Sequence, residues 1–325
     1  MLCILYVNAV GALLVLVGLS VERLLPVSAA RRWIWCLLIP FSMFVPGMYR
    51  THHNWVVTDV AARQTAAPTT VQTAALTLTP LDREWWAHTE SYDSMINRVW
   101  WTVSLILLVW GVANALRVAF LVAMARRQTV ARKVASVDGI PIVVTDQLGP
   151  ATVGLLRSRV LVPRWVLTLP GMQRRYVLRH EEEHRRAHDA HLLLFASLPL
   201  LLMPWNLAMW WQLRRLALAV ELDCDNRVVT ALGDAPAYGE LLLTVAQAAS
   251  RGPRLQPAFL GGMGSLERRL RALVSPTPLR RAQKFLLPAA TLALLFIVVW
   301  MPHPILGPNC NSSHPLAPTA TNALK

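Results

Sequence analysis

Five long apolar runs decide what this chain can fold into: residues 2–19, 33–49, 99–116, 192–211 and 285–301. Each approaches or reaches the roughly 17–25 residues with which an α-helix crosses the hydrocarbon core of a bilayer. Composition agrees. Of 325 residues, 54% are hydrophobic and 15% charged, where a soluble domain carries about a quarter charged residues. The first run begins at Leu2 with no basic segment before it, and further runs follow it. It therefore reads as a retained helix and not as a cleaved signal peptide.

Arginine placement sets the orientation. Residues 20–32 hold Arg23, Arg31 and Arg32 against Glu22, and the third run is followed by Arg117, Arg126, Arg127, Arg132 and Lys133. Both segments should face the cytoplasm. The N-terminus and a loop over about residues 50–97 then lie outside. The formal charge of +14 would also suit a nucleic-acid binder. The arginines flank apolar runs, however, and no binding motif accompanies them, so no direct nucleic-acid binding is expected. Cys3, Cys36, Cys224 and Cys310 form no Cys-x-x-Cys pair, which argues against a disulfide framework or a cysteine zinc cluster. His52, His53 and His88 have no carboxylate at fixed spacing and read as solvated loop histidines.

Beyond Lys133 the pattern changes. Residues 140–144 and 160–162 are short β-branched runs bounded by glycine and proline, the signature of strands in a small sheet. Pro170-Gly171 precedes a helix predicted over residues 172–191. The run 192–211 is interrupted by Pro199 and Pro204, and a long helix follows over 206–232, stopped by Gly233. Residues 266–273 form a basic amphipathic segment expected on the inner membrane surface.

The predicted helix over 172–191 carries His180-Glu181-x-x-His184. Residues four apart share a helix face, so both imidazoles can reach one metal ion. Glu181, about 100° round the helix, can reach a water bound to that ion. A hydrolytic zinc site needs a third protein ligand and an open position. Glu221, in Glu221-x-x-x-Asp225, is the candidate, with Asp225 placed to hydrogen-bond the far nitrogen of a ligand histidine. Leu216 to Val220 and Val228-Val229 make that helix apolar nearly all round, where carboxylates need partners. His188 is the competing ligand, although three ligands on consecutive turns of one helix suit tetrahedral geometry poorly, so His188 and Asp189 are expected to support the ligands from behind or to line the substrate cleft. Glu182 and Glu183 read as polar-face residues. His188, Arg227 and Tyr238 are candidates for contacts to substrate or transition state.

His180 and Glu221 must share one side of the membrane to share an ion. A single crossing by residues 192–211 would separate them, and two crossings need about 40 apolar residues. The segment is therefore predicted to be a proline-broken re-entrant hairpin, covered by protein where its backbone is not helical.

Taken together, these motifs resemble the BlaR/MecR-type antirepressor family of integral-membrane metallopeptidases, of the gluzincin type. The stretches that carry the likeness are Gly149-Pro-Ala-Thr-Val-Gly154, Arg159-Val-Leu-Val-Pro163, Arg179-His-Glu-Glu-Glu-His184 with His188-Asp189, and Trp205-Asn206. Val220-Glu-Leu-Asp-Cys-Asp225 and Leu266-Glu-Arg-Arg-Leu270 extend it. The glutamate run inside the histidine motif departs from the usual pattern. The resemblance implies a cytoplasmic zinc endopeptidase that cuts a winged-helix repressor and thereby induces antibiotic-resistance genes. It is to a member without the C-terminal penicillin-binding sensor, since the sequence ends soon after its last apolar run.

The expected fold is a mainly α membrane protein, with about four transmembrane helices, a re-entrant hairpin and a small α+β gluzincin metallopeptidase domain. Residues 1–125 form the N-terminal membrane region, 126–283 the cytoplasmic peptidase domain, and 284–325 the last span with a short outer tail. One zinc ion (Zn2+) would be held by His180, His184 and Glu221, with Glu181 as general base. The expected place is a bacterial plasma membrane, with the lipid bilayer and a protein substrate as partners. Two alternatives remain: a membrane quality-control or prenyl-peptide zinc protease, and a zinc-binding membrane scaffold or receptor without catalysis.

Overall fold

The structure is a computed structural model that describes residues 2–25, 29–44, 80–131, 136–137, 139–145, 150–154, 158–250, 263–274 and 281–300. Three helices come first: α1 (Leu2–Leu24), α2 (residues 29–44) and α3 (Pro80–Ala131). A sheet follows, made of β1 (Ser136–Val137), β2 (Ile140–Thr145), β3 (Ala151–Val153) and β4 (Arg159–Pro163). Seven helices complete the described chain: α4 (Arg164–Leu167), α5 (Gly171–Arg186), α6 (Asp189–Leu202), α7 (Leu207–Leu232), α8 (Ala235–Ser250), α9 (Met263–Val274) and α10 (Arg281–Trp300).

The sheet runs in the order β1-β2-β4-β3, with β2 and β4 parallel and the outer pairs antiparallel. Strand side chains alternate between faces, and here both faces are used. Ile142, Val144, Val160 and Val162 pack with Tyr176, Val177 and Val228 of α5 and α7. Val143 and Leu161 turn the other way, onto Leu121 and Val122 of α3. The sheet thus joins the end of the long apolar helix to the helices that carry the histidine motif.

Among the described residues, two helices are long and apolar enough to cross a bilayer, within Tyr6–Leu24 of α1 and Met95–Met124 of α3. The most apolar part of that α3 stretch is not buried inside the protein, and Trp101, Leu105, Ile106, Leu116 and Phe120 are exposed along it. Water does not tolerate so large an apolar surface; lipid does. A mainly α membrane fold is thereby seen, while two of the about four expected spans are found among the described residues. The last apolar stretch, Phe285–Val298, falls short, and residues 45–49 of the run 33–49 lie outside the described residues. The outer loop also changes, because α3 begins at Pro80, so residues 80–97 are helical.

The run 192–211 forms two helices meeting at Met203–Asn206. Pro199 lies inside α6, and Asn206 caps α7 by accepting from the Met209 amide at 3.1 Å. Ala196 and Leu200 of α6 pack on Met209, Leu213 and Leu216 of α7, with Trp35 and Ile39 of α2 completing the cluster. With 14 residues, α6 is about 21 Å long, short of the roughly 30 Å core of a bilayer.

The helix predicted over 172–191 is broken. α5 ends at Arg186, His188 takes a left-handed conformation (φ 55°, ψ 36°), and α6 restarts at Asp189. α9 packs Leu266, Leu270 and Leu273 against the core that the sheet shares with α5 and α7.

Candidate metal centre

α5 and α7 pack together and bring His180, His184 and Glu221 to one point. The two imidazole Nε2 atoms lie 3.1 Å apart. Glu221 Oε2 is 3.6 Å from His180 Nε2, and Oε1 is 3.8 Å from His184 Nε2. A tetrahedral ion with bonds of about 2.0–2.2 Å needs ligand atoms about 3.4 Å apart. Three converging donors at that spacing fit a zinc ion.

The far nitrogens are already engaged, which turns each Nε2 lone pair inward. His184 Nδ1 donates to Asp189 Oδ2 at 2.7 Å. The break at His188 makes this contact possible, because residues five apart on a continuous helix face about 140° away from each other. Asp189 also stands in the first turn of α6, where a carboxylate is favoured by the helix dipole. His180 Nδ1 donates to the Tyr238 hydroxyl at 3.0 Å, and that hydroxyl donates to Asp225 Oδ1 at 2.7 Å. Asp225 Oδ1 itself lies 3.4 Å from His180 Nδ1. Tyr238 is thus a bridge behind a histidine, with Asp225 acting largely through it.

Arg269 of α9 closes the cluster. Its guanidinium reaches Asp225 Oδ2 and Oδ1, each at 2.7 Å, and Glu221 Oε2 at 2.9 Å. Burial works to raise the pKa of Glu221, but Arg269 and the two histidines outweigh it and hold the carboxyl well below its usual range. Burial likewise disfavours the charged form of His180, yet Cys224 and Glu221 bring it up to about 10. The metal-free centre is therefore a tight knot of opposite charges.

A second donor set exists, in which the Cys224 thiol replaces Glu221, all atoms lying within 4.8 Å of one another. Its Sγ, however, contacts His180 Nδ1 at 3.3 Å and the His180 carbonyl oxygen at 3.3 Å. It also interacts with the His184 side chain, so the two histidines offer two three-donor sets, one closed by Glu221 and one by Cys224.

Glu181 is buried beside this cluster, with Thr152 Oγ1 of β3 at 2.6 Å from its carbonyl oxygen and 3.2 Å from Oε2. The other glutamates of the motif are not solvated polar-face residues. Glu182 pairs with Arg185 and Arg186, and Glu183 with Arg179 and Arg227, all four glutamate and aspartate neighbours Glu182, Glu183, Asp189 and Asp223 being buried. Arg227 is committed to this network, at 3.0 Å from Glu183 Oε2 and 3.4 Å from Asp223 Oδ2. The His188 ring lies tilted against that of His191, with centroids 5.6 Å apart and planes at 58°.

A family model described as BlaR1 peptidase M56 matches residues 1–273. The chain belongs to that family. A search of curated proteins finds no match. The BlaR1 peptidase M56 assignment makes the chain a metallopeptidase, and with the bare apolar surface of α3 it makes it a membrane protein. Sequence reasoning passed over four residues of this M56 centre: Thr152, Cys224, Arg269 and Arg32. For Arg269 a signal was present. It stands on the same face of α9 as Leu266, Leu270 and Leu273, and a charge inside an apolar stripe needs a buried partner.

Proposed function

We propose that this metallopeptidase is a zinc-dependent endopeptidase that cuts a cytoplasmic winged-helix repressor, or itself, in a response to antibiotic or cell-wall stress. The observation that carries the reading is the convergence of His180, His184 and Glu221 at zinc-ligand spacing, with Glu181 on the next position of the same helix. Zinc, when bound, supplies Lewis acidity to a water molecule and to the scissile carbonyl. The Glu181 carboxylate accepts the proton of the attacking water and passes it to the leaving amine nitrogen. Thr152 holds the Glu181 carboxylate in place. Its strand, β3, pairs only with β4 among the described strands, so its outer edge is free to add an extended substrate segment by backbone hydrogen bonds.

Orientation has support as well. Arg32, beside the basic junction of α1 and α2, reaches Asp189 at the metal centre. The centre and that junction therefore share one side, and positive charge marks it as cytoplasmic. In this reading the N-terminus is outside.

The test is Glu181→Gln in the full chain. The variant should retain one zinc per chain while losing cleavage of itself and of a co-expressed winged-helix repressor, followed by mass spectrometry of the fragments. Cleavage at the wild-type rate would remove Glu181 from the mechanism.

A further inference from the structure

We propose that Arg32 of α2 is a positioning residue for His184, so that metal binding depends on a helix of the N-terminal apolar region being docked. The proposal rests on the reading of His184 as a metal ligand.

Asp189 divides its two oxygens between these groups. Oδ1 accepts from Arg32 Nη1 at 2.7 Å, and Oδ2 accepts from His184 Nδ1 at 2.7 Å. The side chains are 12% exposed for Arg32 and 4% for Asp189, so water screens the pair little. The surroundings make the arginine necessary. Asp189, Asp223 and Glu183 cluster here; Glu183 has Arg179 at 2.6 Å as well as Arg227, whereas the guanidiniums facing Asp189 and Asp223 are Arg32, at 3.5 Å from Asp223, and Arg227, at 3.9 Å from Asp189. Without Arg32, the buried carboxylates of Asp189 and Asp223 are left to Arg227, which Glu183 already engages. Asp189 then turns toward Arg227, 3.9 Å away, and His184 loses the acceptor that orients its ring. An outer partner of this kind fixes a ligand histidine and strengthens its donor nitrogen.

A docking role alone does not explain the residue. α2 already packs through Trp35 and Ile39 on Leu213, Leu216 and Ala219 of α7. Arg32 also lies near the beginning of its helix, where the dipole disfavours a cation. Its neighbour Arg31 serves the helix junction instead, donating to the Leu25 carbonyl at 2.6 Å and lying 4.0 Å from Glu22. A motion of α2 would reach the metal ligand through two hydrogen bonds.

The experiment uses the full chain in lipid nanodiscs and measures the zinc dissociation constant against a chromophoric chelator, together with the visible spectrum of the Co2+-loaded protein. Arg32→Gln should weaken zinc binding about 10–100-fold and alter the cobalt spectrum, and Arg32→Lys should restore most of the affinity. Arg31→Gln should bind as the wild type does. His184→Ala serves as the reference. If it loses zinc while Arg32→Gln binds normally, the positioning proposal is overturned and the metal reading stands. If His184→Ala binds zinc normally, both fall. Should Arg32→Gln fail to fold, Asp189→Asn and Arg32→Gln/Asp189→Asn carry the test: both should weaken zinc binding equally, and normal affinity in Asp189→Asn, or a further loss on adding Arg32→Gln, overturns the proposal.

Discussion

Replacing Arg269 with glutamine removes the one guanidinium that serves both Glu221 and Asp225. Deleting one partner of a buried ion pair costs about 3–5 kcal/mol, because the other charge is left without compensation. The glutamine amide can donate one neutral hydrogen bond, worth about 1 kcal/mol. The net loss in the metal-free protein is then about 2–4 kcal/mol. Zinc changes the balance unevenly. A bound cation gives Glu221 a new positive partner but does nothing for Asp225, whose oxygens had faced Arg269 and Tyr238. The variant's deficit should therefore shrink by roughly half when zinc is added. The assay is thermal unfolding in detergent followed by tryptophan fluorescence, with chelator and with zinc, for wild type and variant. A triple variant that also carries Glu221→Gln and Asp225→Asn should regain part of the lost metal-free stability, since neither buried carboxylate is then left without its arginine. An equal deficit with and without zinc, or no deficit at all, would refute the charge argument.

Two further outcomes follow from the same geometry. With His180 held up at about 10 and an unfolded histidine near about 6.5, its contribution to metal-free stability is complete below about pH 6.5 and is lost as pH rises to about 10. Protons compete with the metal for the same nitrogens, so the added stability from zinc should grow over that same window; melting temperatures with and without chelator between pH 6 and 10 check both signs, and a metal-free melting temperature rising with pH would contradict the assignment. Tyr238→Phe removes the hydroxyl between Asp225 and His180 Nδ1 and should raise the zinc dissociation constant about 10-fold, with the helical circular dichroism unchanged; unaltered zinc affinity in a chelator titration would deny the bridge its role.

The parts of the centre legible in the sequence are those that obey helix periodicity. His180 and His184, and Glu221 and Asp225, are each four apart, and their relation depends only on 3.6 residues per turn. The strands at 140–144 and 160–162 were legible for the same local reason, being β-branched runs between breakers. What escaped depends on departures from periodicity or on distance. Neither Ala187 nor His188 is a breaker, yet the chain turns there through a left-handed histidine, and Asp189 gains its contact from that turn. The start of α3 was signalled and misread: Pro80 followed by Asp82 and Glu84 is a helix N-terminus, a fixed φ and acids in the first turn. The contact of Arg32 with Asp189 spans 157 positions, and nothing local distinguishes Arg32 from its neighbour Arg31 as a topology-setting charge.

The distribution of the centre along the chain also bears on when its buried charges are paired. During synthesis the histidine helix and Glu221 emerge well before α9, and Arg269 follows Asp225 by 44 positions. At about 5–20 residues per second, a ribosome takes about 2–9 s to add that stretch. Through that interval the nascent chain carries both histidines and their glutamate, but the aspartate and glutamate on α7 have no arginine from α9 to hold them. The buried carboxylates of Glu221 and Asp225 thus gain their shared arginine only when nearly all of the stretch from the sheet to α9 has been made.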